Sequence, residues 1–441
     1  MRILTSAILV AALAWAPAAT ATPPPVRAGA PVSAHAMVHT CCTPAVMKER
    51  IFAEAGALGA RFIRVDVELG GIFAAGEKGK PDWTKLDAVM ELSRRHQLPV
   101  LGIVLTPPSW VPLADAETFG RLAGEVAAHA RDTITNWEIL NEPDGAWAFG
   151  GTPEQYAHML RAAYDAIGVR VPEAEVAMGG VMTPEDLAWI ERVLATPSAD
   201  AAHAFDIANL HLRGRERALP ALLGAWRDRL ARDGFAGPVW VTEHGYPADP
   251  AYQVDQAFHG GEGAQAAYLI ESVLSLAEAG ANEIFVTLRD NLDGGFASEG
   301  VVAIDDRAPF AVRRKPAFAA VRRLVDLWDE LIAARADQRR AEEAARFELA
   351  RAAPWRVQAA GWRAAARLAS AKLARLRARY PLARREYVRE RLARQIDRTW
   401  LALRRKRSGA GWSRAIADDY AQRAQLHELY AAERAAFVAG G

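Results

Sequence analysis

Residues 136–145 read NWEILNEPDG, and the reading of that decapeptide decides the fold. Trp137–Leu140 has strand character and runs straight into Asn141-Glu142-Pro143. Proline cannot donate to a strand ladder, so the strand must stop there. The segment is either a strand-ending turn or a device that holds Glu142 at the rim of a pocket to handle a proton.

The same texture recurs on both sides. Short β-branched or apolar runs at 36–40, 62–67, 99–105, 133–140, 175–179, 205–211, 239–243 and 283–288 read as strands. Helical spacing follows at 45–59, 83–97, 115–131, 153–168, 184–195, 216–233, 262–280 and 315–333. Start signals support several of these, among them Asp82 before WTKLD and Thr152-Pro153-Glu154 before QYAHML. An eightfold alternation over this length predicts a (β/α)8 TIM barrel for residues 34–333. The rival, a doubly wound open sheet, lacks its usual support, because no Gly-rich phosphate fingerprint follows a strand.

The chain has 441 residues, half of them hydrophobic, and a formal net charge of +1, which excludes no class of partner. The charge is unevenly spread, however. Residues 1–330 are net acidic and the remainder is rich in arginine, which suggests two modules. Arg2, the apolar run Ile3–Ala16 and Ala19-Thr20-Ala21 form the pattern of a cleavable signal peptide over residues 1–21, so export to the periplasm, envelope or medium is expected. Residues 22–33 read as a stiff Pro/Ala-rich leader. Two adjacent cysteines, Cys41 and Cys42, give no disulfide framework. They are read as buried small residues rather than a redox pair, although export would permit a bond.

Residues 334–441 lose the strand-like runs. Leu392, Ile396, Trp400 and Leu403 share one helical face, and punctuation comes from Pro354, Pro381 and SGAG at 408–411. This predicts a basic α-helical extension, an antiparallel hairpin closing at SGAG. Its surface suits solvation, an anionic envelope polymer or a protein partner, and export argues against nucleic acid.

Chemistry in a barrel gathers at the C-terminal ends of the strands. Glu142 closes the fourth in WEILNEP and Glu243 closes the seventh in VWVTEHG, although glutamate is disfavoured in buried strands. Glycosidic cleavage needs such a pair, one carboxylic acid to protonate the leaving oxygen and one carboxylate opposite it. On these two motifs, residues 34–330 resemble clan A of the glycoside hydrolases, retaining barrel enzymes that include cellulases and β-xylosidases. The resemblance implies that Glu142 is the acid/base, Glu243 the nucleophile and Asn141 the amide on the sugar 2-hydroxyl. It sets Arg64 of RFIRVDV near the nucleophile, where the competing reading is an ion pair with Asp66 or Glu68. Trp110 of GIVLTPPSW is similar to the family's aromatic sugar platform, and Arg313–Val325 to the helix that closes such barrels.

Two strand ends depart from the pattern. The sixth commonly ends His-x-Tyr and here reads His211-Leu212-Arg213; the eighth commonly offers a tryptophan floor and here offers Arg289-Asp290. His211 is kept as a candidate lining residue. Arg213 and Arg289 at the mouth suit a substrate carboxylate such as a uronic acid, against the plainer pairings of Arg289 with Asp290 and Arg213 with Glu216. Tyr246, Tyr252, Phe258 and His259, in the long loop after the seventh strand, are candidates for the cleft wall. No zinc or EF-hand spacing and no nucleotide loop occurs, so no cofactor is predicted. The expectation is a secreted retaining glycosidase on a poly- or oligosaccharide. The alternatives are a non-catalytic glycan-binding barrel and a scaffold working through its basic helices.

Overall fold

The computed structural model describes residues 22–105, 107–182, 187–249, 260–290, 297–304, 310–377 and 413–440. The signal-peptide pattern, Tyr252, Phe258, His259, the face formed by Leu392 to Leu403, Pro381 and SGAG lie outside them. The chain forms two compact units that divide between Asp326 and Leu327, whereas the sequence reading divided it at 333/334.

The first unit runs β1 (Val32–His39), α1 (Ala45–Leu58), β2 (Ile63–Val67), α2 (Leu69–Ile72), α3 (Thr84–His96), β3 (Val100–Val104), α4 (Ala116–Ala130) and β4 (Asn136–Ile139). It continues α5 (Pro153–Arg170), β5 (Glu175–Met178), α6 (Leu187–Leu194), β6 (Ala208–His211), α7 (Leu219–Ala231), β7 (Val239–His244), α8 (Gly261–Glu278) and β8 (Glu283–Thr287). A short pair, β9 (Val302–Ile304) and β10 (Val312–Arg314), precedes α9 (Pro316–Asp326). Eight strands pair in parallel in the order β5-β4-β3-β2-β1-β8-β7-β6. Bridges Ala177–Ile207 and Val181–Leu210 join the two outer strands, and the sheet closes into a (β/α)8 barrel. Val32 and Ser33, assigned from the sequence to the leader, belong to β1, because they pair with Ile284 and Phe285 along the β1–β8 seam. Helix starts follow the local chemistry: Asp115 caps α4 through Thr118 N, and Thr152 and Gln155 form a reciprocal capping box ahead of Pro153.

The interior of the barrel is layered. The ring of Phe62, the residue before β2, lies 5.2 Å from that of Trp240 on β7 and 6.4 Å from that of Phe285 on β8, centroid to centroid, and since neither strand pairs with β2 these contacts run across the lumen. With Leu101, Ala177 and Ile207 these rings form an apolar floor. Side chains alternate along a strand, so Arg64, two residues beyond Phe62, enters the next layer up, and Asp66 the one above. Trp240 and Glu243 both face inward although they are three positions apart. Register shifts of β7 against β6 and β8 make that spacing possible and re-aim Glu243 into the lumen. Outside the lumen, Trp137 is fully buried, and its ring lies against Gly102 on β3, where a Cβ would come within 2.6 Å.

Cys41 and Cys42 are joined as a disulfide, and Cys42 is exposed, which corrects the buried-thiol reading.

The second unit contains α10 (Trp328–Arg377) and α11 (Ser413–Gly440). Ala417, Ala424, Ala431 and Val438 are buried at intervals of seven, and Leu331, Ala334, Ala341, Ala345 and Ala352 are buried on α10. Heptad spacing with alanine at the seam brings two helices close together. Tyr430 Oη meets Asp337 (3.4 Å) and Arg351 covers the Tyr420 ring (4.7 Å), so the partner's number falls as α10 advances and the pair is antiparallel. Pro354, read as punctuation, lies inside α10. It removes one bond from a fifty-residue ladder and does not end the helix.

Candidate functional site

At the C-terminal mouth of the barrel, His35, Met37, His39, Arg64, Asp66, Leu105, Leu140, Asn141, Glu142, Trp147, Ala148, Met182, His211, Arg213, Glu243 and Arg289 line a cavity of about 810 Å3. Seven residues expected from the sequence (Arg64, Asn141, Glu142, His211, Arg213, Glu243 and Arg289) are thus brought together. Trp110 and Tyr246 are not among the lining residues, which corrects both expectations. The Trp110 indole N–H donates to the Phe73 carbonyl (3.0 Å), and Tyr246 is buried against Tyr268, its hydroxyl accepting from Gly260 N (3.0 Å). Among the described residues, Trp147, 72 % exposed in the loop after β4, lines the mouth instead.

Arg64 organises the site. Its Nε and Nη2 bind the two oxygens of Glu138, each at 2.8 Å, and Nη2 also donates to Asn141 Oδ1 (2.7 Å). Its Nη1 binds Glu243 Oε1 (2.6 Å) and meets His35 Nδ1 (3.2 Å). These contacts use all five guanidinium donors. The ion pair with Asp66 or Glu68 that competed in the sequence reading does not form; those carboxylates engage His39 at 2.9 Å each. Because Arg64 can only donate, the Asn141 oxygen must face it. The Asn141 NH2 group therefore faces the cavity, with no partner among the described residues.

Glu243 is held at both oxygens, by Arg64 at Oε1 and by Arg213 Nη2 at Oε2 (2.9 Å). Arg213 also binds both oxygens of Glu299, at 2.7 and 3.0 Å, so the pairing with Glu216 expected as the plain reading gives way to this one. Burial alone would raise the Glu243 pKa. The neighbouring His211, His35, Arg64 and Arg213 outweigh it and hold the carboxyl well below its ordinary range. Burial lowers His35 itself to about 3, so its ring is neutral and the permanent charges beside Glu243 are the two guanidiniums.

Glu142 Oε1 lies 2.8 Å from His211 Nδ1. His211 Nε2 is buried without a partner and faces Gly180, where a Cβ would come within 2.1 Å. A buried orphan N–H is rarer than a buried orphan lone pair, so the ring proton belongs on Nδ1, which donates to Glu142. Glu142 Oε2 takes no part in that bond. The backbone is bent here: Leu140 and Glu142 take φ of +64° and +43° on either side of Asn141. Such conformations cost roughly 1–3 kcal/mol each and cluster where geometry is imposed by function.

One oxygen from each glutamate and the His211 nitrogen lie within 4.8 Å of one another. Three such donors can hold a cation in principle, but two guanidiniums already occupy the Glu243 oxygens and would repel one. His39 at the rim is raised to about 10 by its hydrogen bonds to Asp66 and Glu68 and is a cation at neutral pH. Sequence reasoning missed Glu138, His35, Asp66 and Trp147 as members of the site. The available signal was the alternation of β2 and β4, which turns Asp66 inward behind Arg64 and Glu138 inward from NWEIL.

No protein family and no curated protein matches the chain. Solved structures do resemble it. A family 39 glycoside hydrolase from the gut symbiont Bacteroides cellulosilyticus WH2 is 16% identical, with a TM-score of 0.50, over 66% of this chain and 63% of that one. An exo-β-1,4-mannosidase from Opitutaceae bacterium strain TAV5 is 18% identical, with a TM-score of 0.52, over 70% and 61%. A family 39 enzyme from Xanthomonas axonopodis pv. citri is 18% identical, with a TM-score of 0.52, over 70% and 68%. The chain spans less than two thirds of the length of the first two. At these identities the likeness is one of fold: this chain carries the (β/α)8 barrel found in those glycoside hydrolases.

Proposed function

We propose that the chain is an exported, retaining glycoside hydrolase in which Glu243 is the nucleophile and Glu142 the acid/base. The observation that carries the reading is the approach of the two glutamates to within 4.8 Å. Retaining enzymes hold their carboxyl groups about 5–5.5 Å apart, whereas inverting enzymes leave about 6.5–9.5 Å for a water. Glu243, kept ionised by two arginines, attacks the anomeric carbon. Glu142 gives the proton on Oε2 to the departing oxygen and then takes one from the incoming water. The Asn141 NH2 donates to the 2-hydroxyl, a bond that strengthens as the ring approaches the transition state. Trp147 offers a sugar ring an aromatic face at the mouth.

The test is a panel of aryl glycosides and polysaccharides with wild type, Glu243→Gln and Glu142→Gln. Glu243→Gln is expected to lose turnover of every substrate. Glu142→Gln is expected to lose far more on poor leaving groups than on dinitrophenolate, which needs no proton. Equal turnover by wild type and Glu243→Gln on any cleaved substrate would sink the assignment. A second reading, a glycan-binding barrel without turnover, gains support from the engagement of both Glu243 oxygens by arginine. Binding that persists in a wild type inert on the whole panel would select it.

A further inference from the structure

Arg289 follows β8 and is 7 % exposed, which is unusual for an arginine without an acidic partner. Among the described residues no carboxylate pairs with it. Asp290, the partner expected from the sequence, gives its carboxylate to Lys315 Nζ (2.6 Å), and Asp66 gives an oxygen to His39 (2.9 Å), so both act on Arg289 only through space. The guanidinium is held by backbone instead. Its Nε donates to Ala36 O (3.1 Å) and its Nη2 to Met37 O (3.0 Å), with a long contact from Nη1 to Asp290 O (3.5 Å). Met37 lies where β1 shifts register, at φ +49°, and this bend turns the two carbonyls onto the arginine.

Three of five N–H groups are thereby used. The two that remain, one on each terminal nitrogen, form the end-on fork that matches a carboxylate. Arg289 lines the same cavity as Glu243, just beyond the strand next to β7. We propose that Arg289 clamps the carboxylate of a hexuronic acid seated over Glu243, and that the substrate is a uronic acid glycoside. The proposal deepens the hydrolase reading, but the binding it requires does not depend on turnover.

Two assays separate the two claims. In the first, kcat/KM is measured for 4-nitrophenyl glycosides of glucuronate against glucose and of galacturonate against galactose, in both anomeric forms. In the second, calorimetry compares free hexuronates, the matching hexoses and glucose 6-sulfate on the full chain. A hydrogen bond to a charged group is worth about 1.5–3 kcal/mol, so at least one uronate is expected to be favoured by roughly tenfold or more. In Arg289→Met that ratio is expected to collapse, and Arg289→Lys, which keeps the charge but not the fork, is expected to recover only part of it. Turnover of neutral sugars alone leaves the hydrolase and overturns the uronate. Uronate binding without any turnover sinks the hydrolase and keeps the clamp. Absence of a uronate preference in both assays, a preference for the sulfate ester, or a ratio unchanged in a folded Arg289→Met overturns the proposal.

Discussion

Arg213 occupies the place where the resemblance puts a tyrosine against the nucleophile, and the exchange alters charge as well as shape. A guanidinium 2.9 Å from Glu243 Oε2 favours the ionised carboxylate, so removing it must raise the pKa. The acid limb of kcat/KM, which reports the free enzyme, is therefore expected to move to higher pH in Arg213→Gln. A limb that stays in place or moves to lower pH would refute the link, provided that circular dichroism shows an intact fold. The two glutamates were legible as residues because each ends an apolar run. Trp110 misled because its position after the third strand suggested a platform, while its indole proton had a backbone acceptor that sequence does not display. Glu138 escaped notice because its partner is 74 positions away.

At the scale of elements, Glu283 opens β8 at the end of the barrel away from the cavity. Burial raises it from an ordinary 4.5 to about 7, against the pull of Arg61 and of the bond from Ser33 Oγ (2.7 Å). A carboxyl raised in the folded state adds stability that is complete below about 4.5 and lost as pH rises through 7. Relative to Glu283→Gln, the wild type is expected to lose about 3 kcal/mol between pH 4.5 and 8, read from urea titrations. An unchanged difference across that range would mean that the group does not titrate there. Gly102→Ala is expected to destabilise the barrel by about 1–3 kcal/mol, because the Trp137 ring has nowhere to retreat. Parallel strands are buried on both faces and so read as continuous apolar runs, which made all eight visible. The three-residue strands β9 and β10 and the single turn α2 are too short for periodicity and were not foreseen.

Across the whole molecule, every residue lining the cavity lies between His35 and Arg289, within the first compact unit. A chain ending at Asp326 is therefore expected to keep the kcat/KM of the full chain on small aryl glycosides. If activity vanished while the shortened chain remained folded, the rival in which the basic helices do the work would gain. The arginine excess of that region announced a separate module. Its seam of alanines did not announce itself, since alanine is a helix former anywhere and acquires meaning only against a partner helix.

Arg64 has a consequence for the order of events during folding. Its partners on β1, β4 and β7 lie 29, 74 and 179 positions away. A chain that has emerged only through β6 can join Arg64 to Glu138, but it has no Glu243 to position. Long-range closure is slow, so the proposed hydrolytic activity is expected to return last in renaturation, after the far-ultraviolet signal has recovered.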